Sequence, residues 1–202
     1  MANLWALPES CRSLPGDNLY GRLQAANGLI QLLRNPVSEA PGTDGRTEWT
    51  AWIKKTLYEI VGQEDYLISP EDCSSTRGEF MKIDITIEER KVPKRIILAV
   101  ESEIDNTKSR DKAIEFDFEK LLAVKSPFKL MIFSSQKEGF TNEEALRVFG
   151  RNLEPYGHHL QGETYIFVDY NENSRKNGSF FAHIWQSESN GMQNPAMLLP
   201  IS

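Results

Sequence analysis

The chain has no long hydrophobic run: no stretch approaches the roughly 20 apolar residues that a membrane-spanning helix requires. Its first residues, MANLWALPES, have neither the basic nor the apolar segment of a secretion signal. Cys11 and Cys73 are the only cysteines, and neither has the spacing of a zinc ligand or a CxxC motif. We therefore expect a cytoplasmic protein with free thiols, no membrane partner and no zinc site.

Several enzyme motifs are also missing. The sequence contains no Walker loop, GxGxxG, GxSxG or HExxH, which removes nucleotide-dependent, hydride-transfer, serine-hydrolase and zincin chemistry. Positive charge is not in excess either, since the net charge is −6 and the pI is about 5.2. This excludes nucleic-acid binding through bulk positive charge, but local basic clusters occur over 90–95 and 108–112. These two clusters could bind nucleic acid locally; the alternative interpretation is that they are a solvated turn and the solvated start of a helix.

What is present describes a folded domain of ordinary size: 202 residues, 40% hydrophobic and 26% charged, with 13 Gly and 10 Pro. Hydrophobic spacing predicts helices over 19–33, 47–61, 108–124 and 142–153, and strands over 65–69, 79–89, 95–103, 128–134, 163–170 and 180–186. This order predicts a mixed sheet with helices on both faces, with a parallel crossover through the third helix.

Three carboxylates lie on two successive strand patterns in the middle of the chain. Asp84 belongs to KIDITI, and Glu101 and Glu103 belong to IILAVESEID. Because side chains alternate along a strand, Glu101 and Glu103 project from one face, and Asp84 comes beside them when the strands pair. We therefore expect an anionic pocket in the centre of the sheet.

Such a pocket favours divalent-cation chemistry. Crowded acids raise one another's pKa and stay ionised together only where a cation neutralises them. Mg²⁺ prefers carboxylate oxygens and, held by two acids, keeps waters that a substrate phosphate can replace. The pocket therefore predicts phosphodiester hydrolysis, and the alternative is a set of ordinary solvated acids at strand ends.

The arrangement resembles the PD-(D/E)XK nuclease superfamily, in which a helix precedes a meander that carries one Asp and then an acid pair, followed by a helix and a short strand. The resemblance covers about residues 48–134. It implies an α/β, restriction-endonuclease-like three-layer core with a central mixed sheet flanked by helices. The chain would be one nuclease-like domain over 1–202, with its core over 47–135, an N-terminal helical extension over 17–35, and a C-terminal helix and strands over 141–187.

By this resemblance Asp84 takes the first acidic place of the motif and Glu101 the second. Glu103 stands where the family usually has lysine. That departure is similar to the E-x-E variant of BamHI-type restriction endonucleases. In related members the lysine moves to the following helix, and Lys120 fits that place.

Lys82 and Glu48 are further candidates for the site that the resemblance implies. Lys82 lies on the same strand face as Asp84 and is a rival to Lys120 for the role of the motif lysine. Asp117 lies three residues before Lys120, so the alternative role of Lys120 is a surface ion pair with Asp117. Glu48 fits the place of an additional helix glutamate near the metals. Its alternative is a first-turn glutamate favoured by the helix dipole.

The resemblance implies that Asp84 and Glu101, with the carbonyl of Ser102 and with Glu48 nearby, hold Mg²⁺ or Mn²⁺. Glu103 would then orient or deprotonate the attacking water. The implied function is a Mg²⁺-dependent DNA endonuclease, restriction or defence related, and double-strand cleavage makes a homodimer plausible. A nuclease fold kept as a non-catalytic binding or assembly module is the second hypothesis, and an unrelated α/β domain with structural acids is the third.

Two groups of residues are assigned to structure. The aromatics of the third helix and the strand after it have the spacing of core residues: Phe116, Phe118, Phe128 and Phe133. The histidines lack ligand spacing and are assigned to surface or hydrogen-bonded positions: His158, His159 and His183.

Overall fold

A computed structural model describes residues 51–55, 57, 66–69, 83–90, 95–104, 110–135, 141–160, 162–170, 180–187 and 197–201. The helix predicted over 19–33, the extension over 17–35, Glu48 and Lys82 lie outside the described residues. Residues 51–55 and 57 are helical, as predicted for this part of the 47–61 helix. Its apolar stripe is buried there, since Ile53 and Leu57 are both 0% exposed.

Within these ranges seven strands form a single mixed sheet, with order β1-β2-β3-β4-β5-β6-β7. The strands are β1 (Tyr66–Ser69), β2 (Ile85–Glu89), β3 (Ile96–Glu103), β4 (Phe128–Phe133), β5 (Thr164–Tyr170), β6 (Phe180–Gln186) and β7 (Met197–Ile201). β4 is parallel to both β3 and β5, and the other four pairings are antiparallel. The predicted α/β class and mixed sheet are confirmed, whereas the restriction-endonuclease-like arrangement remains a prediction.

Two helices make the parallel connections: α1 (Arg110–Ala123) links β3 to β4, and α2 (Asn142–Leu153) links β4 to β5. Thr141 caps α2 in a reciprocal capping box with Glu144. Both helices bury their apolar stripes against the same face of the sheet, where Phe118 and Phe149 meet Phe167. We call this the α-face; it also carries Glu101, which is in register with Met131 and, through it, with Phe167.

The opposite face of the sheet is buried as well. Val100, Leu130 and Ile166 project from it at neighbouring positions of β3, β4 and β5, and each is 0% exposed. This explains the nearly continuous apolar sequence of β4, which is buried at every position.

Two elements differ from the sequence prediction. Ile83 and Asp84 precede β2 rather than lying within it, so the carboxylate stands at the entrance to the strand. β7 was not predicted, because its five residues include Pro200, which interrupts a strand pattern and is tolerated mainly at a sheet edge. In the described part of the chain, no helix combines the length and apolar character needed to span a membrane.

Candidate functional site

The β2–β3 hairpin brings Asp84 beside Glu101. The strands pair Ile85 with Val100, and Asp84 and Glu101 are the next residues beyond that pair on the two chains of the hairpin. The backbone N–H of Ser102 donates to Asp84 Oδ2 at 3.0 Å, which fixes the carboxylate against β3. Asp84 and Glu101 are therefore neighbours, and their role in a metal site stays a prediction.

Helix α1 adds a cation to this pair. Lys120 Nζ lies 2.8 Å from Glu101 Oε1 and 2.8 Å from Asp117 Oδ1. The lysine thus bridges its own helix and the strand below it, so the predicted approach to the acid-bearing strand and the predicted Asp117 ion pair occur together. Lys120 and Asp117 keep 18% and 16% of their side-chain surface exposed, whereas Glu101 has 0%.

Glu101 is the electrostatically unusual group of the site. Burial raises its pKa to about 10, the charge of Asp84 adds to the rise, and contact with Lys120 opposes it. Burial alone would lower the pKa of Lys120, but its hydrogen bonds to Asp117 and Glu101 outweigh that effect and raise it. Oε2 of Glu101 is buried and accepts no hydrogen bond from any described residue. A buried carboxylate oxygen without a hydrogen bond lowers the stability of the folded protein. Binding of a cation or a proton at Oε2 would remove this cost.

The remaining predicted residues are placed as follows. Glu103 ends β3, half-buried, two residues beyond Glu101 on the α-face. No group of three or more His, Cys, Asp or Glu side chains within the described ranges is close enough to hold a metal ion. The structure thus brings Asp84 and Glu101 together but does not assemble Glu103 with them into such a group. Ser102 lies between the two glutamates and holds Asp84 through its backbone.

A second polar cluster lies at the amino ends of β4 and β5, and sequence reasoning missed it. Lys129 Nζ pairs with Glu163 Oε1 at 2.5 Å and donates to Tyr165 Oη at 2.9 Å. His159 Nδ1 lies 3.1 Å from Glu163 Oε2, and its Nε2 lies 3.1 Å from the carbonyl oxygen of Leu153. The sequence signal for this cluster was Lys129, a lysine inside an apolar strand, because a buried lysine must be paired with an acid or a hydrogen-bond acceptor.

A third cluster lies at the carboxyl ends of the same strands. Asp169 accepts hydrogen bonds from the backbone and hydroxyl of Ser135 and from Asn142 Nδ2, the last at 2.8 Å. His183 Nε2 contacts Asn142 Oδ1 at 3.1 Å. His183 is therefore buried and hydrogen-bonded through Nε2, as its assignment to surface or hydrogen-bonded positions allows, while its Nδ1 is buried without a hydrogen-bond partner among the described residues.

Comparison with known proteins adds no assignment to this geometry. No protein-family model, no curated protein and no solved structure matches the chain.

Proposed function

We propose that the Asp84–Glu101–Lys120 site hydrolyses phosphodiester bonds of DNA with the help of Mg²⁺ or Mn²⁺, as a PD-(D/E)XK-like endonuclease whose lysine comes from a helix. The observation that carries the proposal is the position of Lys120 Nζ, 2.8 Å from Glu101 Oε1. Two adjacent carboxylates on a hairpin with an ammonium group above them combine the charges that phosphoryl transfer needs.

The donor set fits a divalent cation. Asp84 and Glu101 are adjacent carboxylates, and Oε2 of Glu101 accepts no hydrogen bond from the described residues. Mg²⁺ is commonly held by one or two carboxylates plus water, so a third acid is not required. Asp84, Glu101 and the carbonyl of Ser102 would hold the ion, which when bound supplies charge neutralisation at the phosphate and acidifies water.

The side chains of the chain itself would then act as follows. Lys120 would neutralise charge that develops on the phosphate, and Asp117 would hold its ammonium group on the edge of α1. Glu103, half-buried at the end of β3, would accept the proton of the attacking water. Ser102 would position Asp84 through its backbone N–H.

A second candidate function is a nuclease-fold module that binds without cleaving. Lys120 already contacts Oε1 of the carboxylate that a metal ion would use, and a lysine at this place can replace the ion electrostatically. In that case the lysine closes a decayed site. The two functions differ in whether the protein takes up a divalent cation.

The decisive experiment measures cleavage and metal uptake in parallel. Supercoiled and single-stranded circular DNA are incubated with the protein in Mg²⁺ or Mn²⁺, and Mn²⁺ binding is measured by titration calorimetry. We expect metal-dependent nicking that Glu101→Gln abolishes together with Mn²⁺ uptake. Lys120→Ala should keep Mn²⁺ uptake and slow nicking by roughly 100-fold, the usual effect of removing one group that stabilises transition-state charge.

The controls separate the candidate functions. Glu143→Gln changes an exposed carboxylate on α2 and should alter neither measurement. Absence of both nicking and Mn²⁺ uptake in the wild-type protein would refute the nuclease and favour the binding module.

A further inference from the structure

Phe116 on α1 is exposed, although the spacing of the aromatics assigns it to the core. It keeps 61% of its surface exposed, whereas Phe118 is 0% exposed. Within the described residues Leu160 is the only other large hydrophobic side chain that is exposed, with 40% of its surface accessible. The helical angle explains the difference, because two residues correspond to about 200° and Phe116 therefore projects away from the stripe of Phe118. The core assignment for Phe116 is thus wrong.

Phe116 stands between two lysines on one edge of α1. Lys112, Phe116 and Lys120 are spaced by four residues, which places them in a row along the helix surface. Lys112 is exposed, and Lys120 Nζ lies over the Phe116 ring, 5.7 Å from its centroid. We call these three residues the α1 strip.

The α1 strip ends at the candidate site. The same Nζ that lies over the Phe116 ring is 2.8 Å from Glu101 Oε1. A phosphate at Lys120 would therefore have its own nucleoside within reach of the Phe116 ring. Aromatic faces stack on bases, and lysines along a backbone path neutralise successive phosphates.

We propose that the α1 strip binds an unpaired DNA strand: Phe116 stacks on the base next to the scissile phosphate, Lys120 contacts that phosphate and Lys112 contacts a neighbouring one. This proposal rests on the proposed function for its cleavage step, but the binding step stands on the strip itself. A ring can lie on the face of a base only where that base has left the duplex stack. The substrate class is therefore single-stranded DNA or a duplex with an unpaired stretch.

The binding experiment uses a single-stranded DNA oligonucleotide that carries 2-aminopurine, whose fluorescence falls when it stacks on an aromatic ring. Measured in EDTA, so that no cleavage occurs, wild-type protein should quench the probe and bind it more tightly than a duplex of the same sequence. Phe116→Ala should weaken binding by about 5- to 150-fold and abolish the quenching, as expected for the loss of one stacked base.

Matched variants separate stacking from apolar contact. Phe116→Trp should retain quenching and affinity, and Phe116→Leu should lose quenching, because it keeps apolar surface without a π-face. Leu160→Ala removes the other exposed hydrophobic side chain and should bind as wild type. Lys112→Ala should reduce the slope of log K against log salt by about 0.7, the value for one phosphate contact on a single strand.

The outcomes for the strip and the nuclease are separable. If the wild-type protein does not bind the oligonucleotide, or if Phe116→Ala binds and quenches as wild type, the stacking proposal is overturned whether or not DNA is cleaved. If binding depends on Phe116 and no metal-dependent cleavage occurs, the strip is supported and the nuclease is refuted. Circular dichroism of each variant should match wild type, as expected for changes at exposed positions.

Discussion

Two buried lysine–glutamate pairs under the same helical layer have different surroundings. Lys129 and Glu163 are both almost fully buried, with 1% and 2% of their side chains exposed, and Tyr165 and His159 complete their hydrogen bonds. Lys120 and Glu101 are in similar contact, with Nζ 2.8 Å from Oε1, but the lysine is 18% exposed and Oε2 of the glutamate has no partner among the described residues.

The difference separates a structural pair from a candidate functional one. A buried ion pair is tolerated when its remaining donors and acceptors are satisfied, and the Lys129 pair meets that condition. The Lys120–Glu101 pair does not meet it, because Oε2 of Glu101 has no partner among the described residues, and Lys120 is partly exposed to solvent. Burial lowers the pKa of Lys129, whereas contact with two carboxylates raises that of Lys120. The incompletely satisfied pair is therefore the one with capacity left for a ligand.

Breaking the structural pair should produce the largest effect. Lys129→Met leaves Glu163 buried without its cation, which should lower the free energy of unfolding by about 3–5 kcal/mol in urea denaturation. Lys120→Met should cost less, about 1 kcal/mol, because the raised pKa of Glu101 lets its carboxyl stay neutral when the lysine is removed. Adding Glu163→Gln to Lys129→Met should restore part of the loss. Equal costs for the two lysine variants would contradict the comparison.

The pH dependence of stability should follow Glu101. Its pKa rises from 4.5 to about 10 on folding, so in that window the folded state holds a proton that the unfolded state has lost. The free energy of unfolding should therefore fall as the pH rises, by at most about 1.4 kcal/mol per pH unit.

Urea denaturation of the wild type and Glu101→Gln from about pH 7 to about pH 9 measures this dependence. The variant lacks the titrating group, so its advantage in stability over the wild type should grow with pH. Other titrating groups, Lys129 among them, are common to both proteins. A constant difference between the two curves would show that Glu101 is already ionised at neutral pH.

The smallest effects should come from the groups that hold each lysine. Tyr165→Phe removes a hydroxyl that contacts Lys129 and Glu163 in the core, and should cost about 1–2 kcal/mol. Asp117→Asn removes a partly exposed partner of Lys120 and should cost less than about 0.5 kcal/mol. Thermal or urea unfolding of both variants checks the order, and a reversed order would show that the Lys120 pair also has a mainly structural role.

Strand alternation was sufficient to place Asp84 beside Glu101, because a hairpin between two adjacent patterns fixes which side chains share a face. Helical spacing likewise placed Lys120 on the edge of α1 next to the acid-bearing strand. Both predictions depend on residues that are close in sequence or on neighbouring elements. They could therefore be made without knowledge of the rest of the fold.

The missed features depend on longer-range contacts or on a signal that was misjudged. Lys129 meets Glu163 and Tyr165 only because β4 and β5 are neighbours, and strand periodicity carries no information about that pairing. Glu103 has the correct face, yet sharing a face does not bring it together with Asp84 and Glu101 as a metal-holding group. Phe116 was assigned to the core from its spacing with the other aromatics, although the helical period places it about 200° from Phe118.

The strand order of the sheet has a consequence for biosynthesis. Each strand from β2 to β7 pairs with the strand before it in the chain, and none of the described strands is inserted between two earlier ones. A nascent polypeptide leaving the ribosome can therefore extend the sheet one strand at a time, with α1 and α2 packing on its α-face, and no completed pairing has to reopen. The hairpin that holds Asp84 and Glu101 is synthesised before α1 and α2, so the two acids can be in place before Lys120 packs against them.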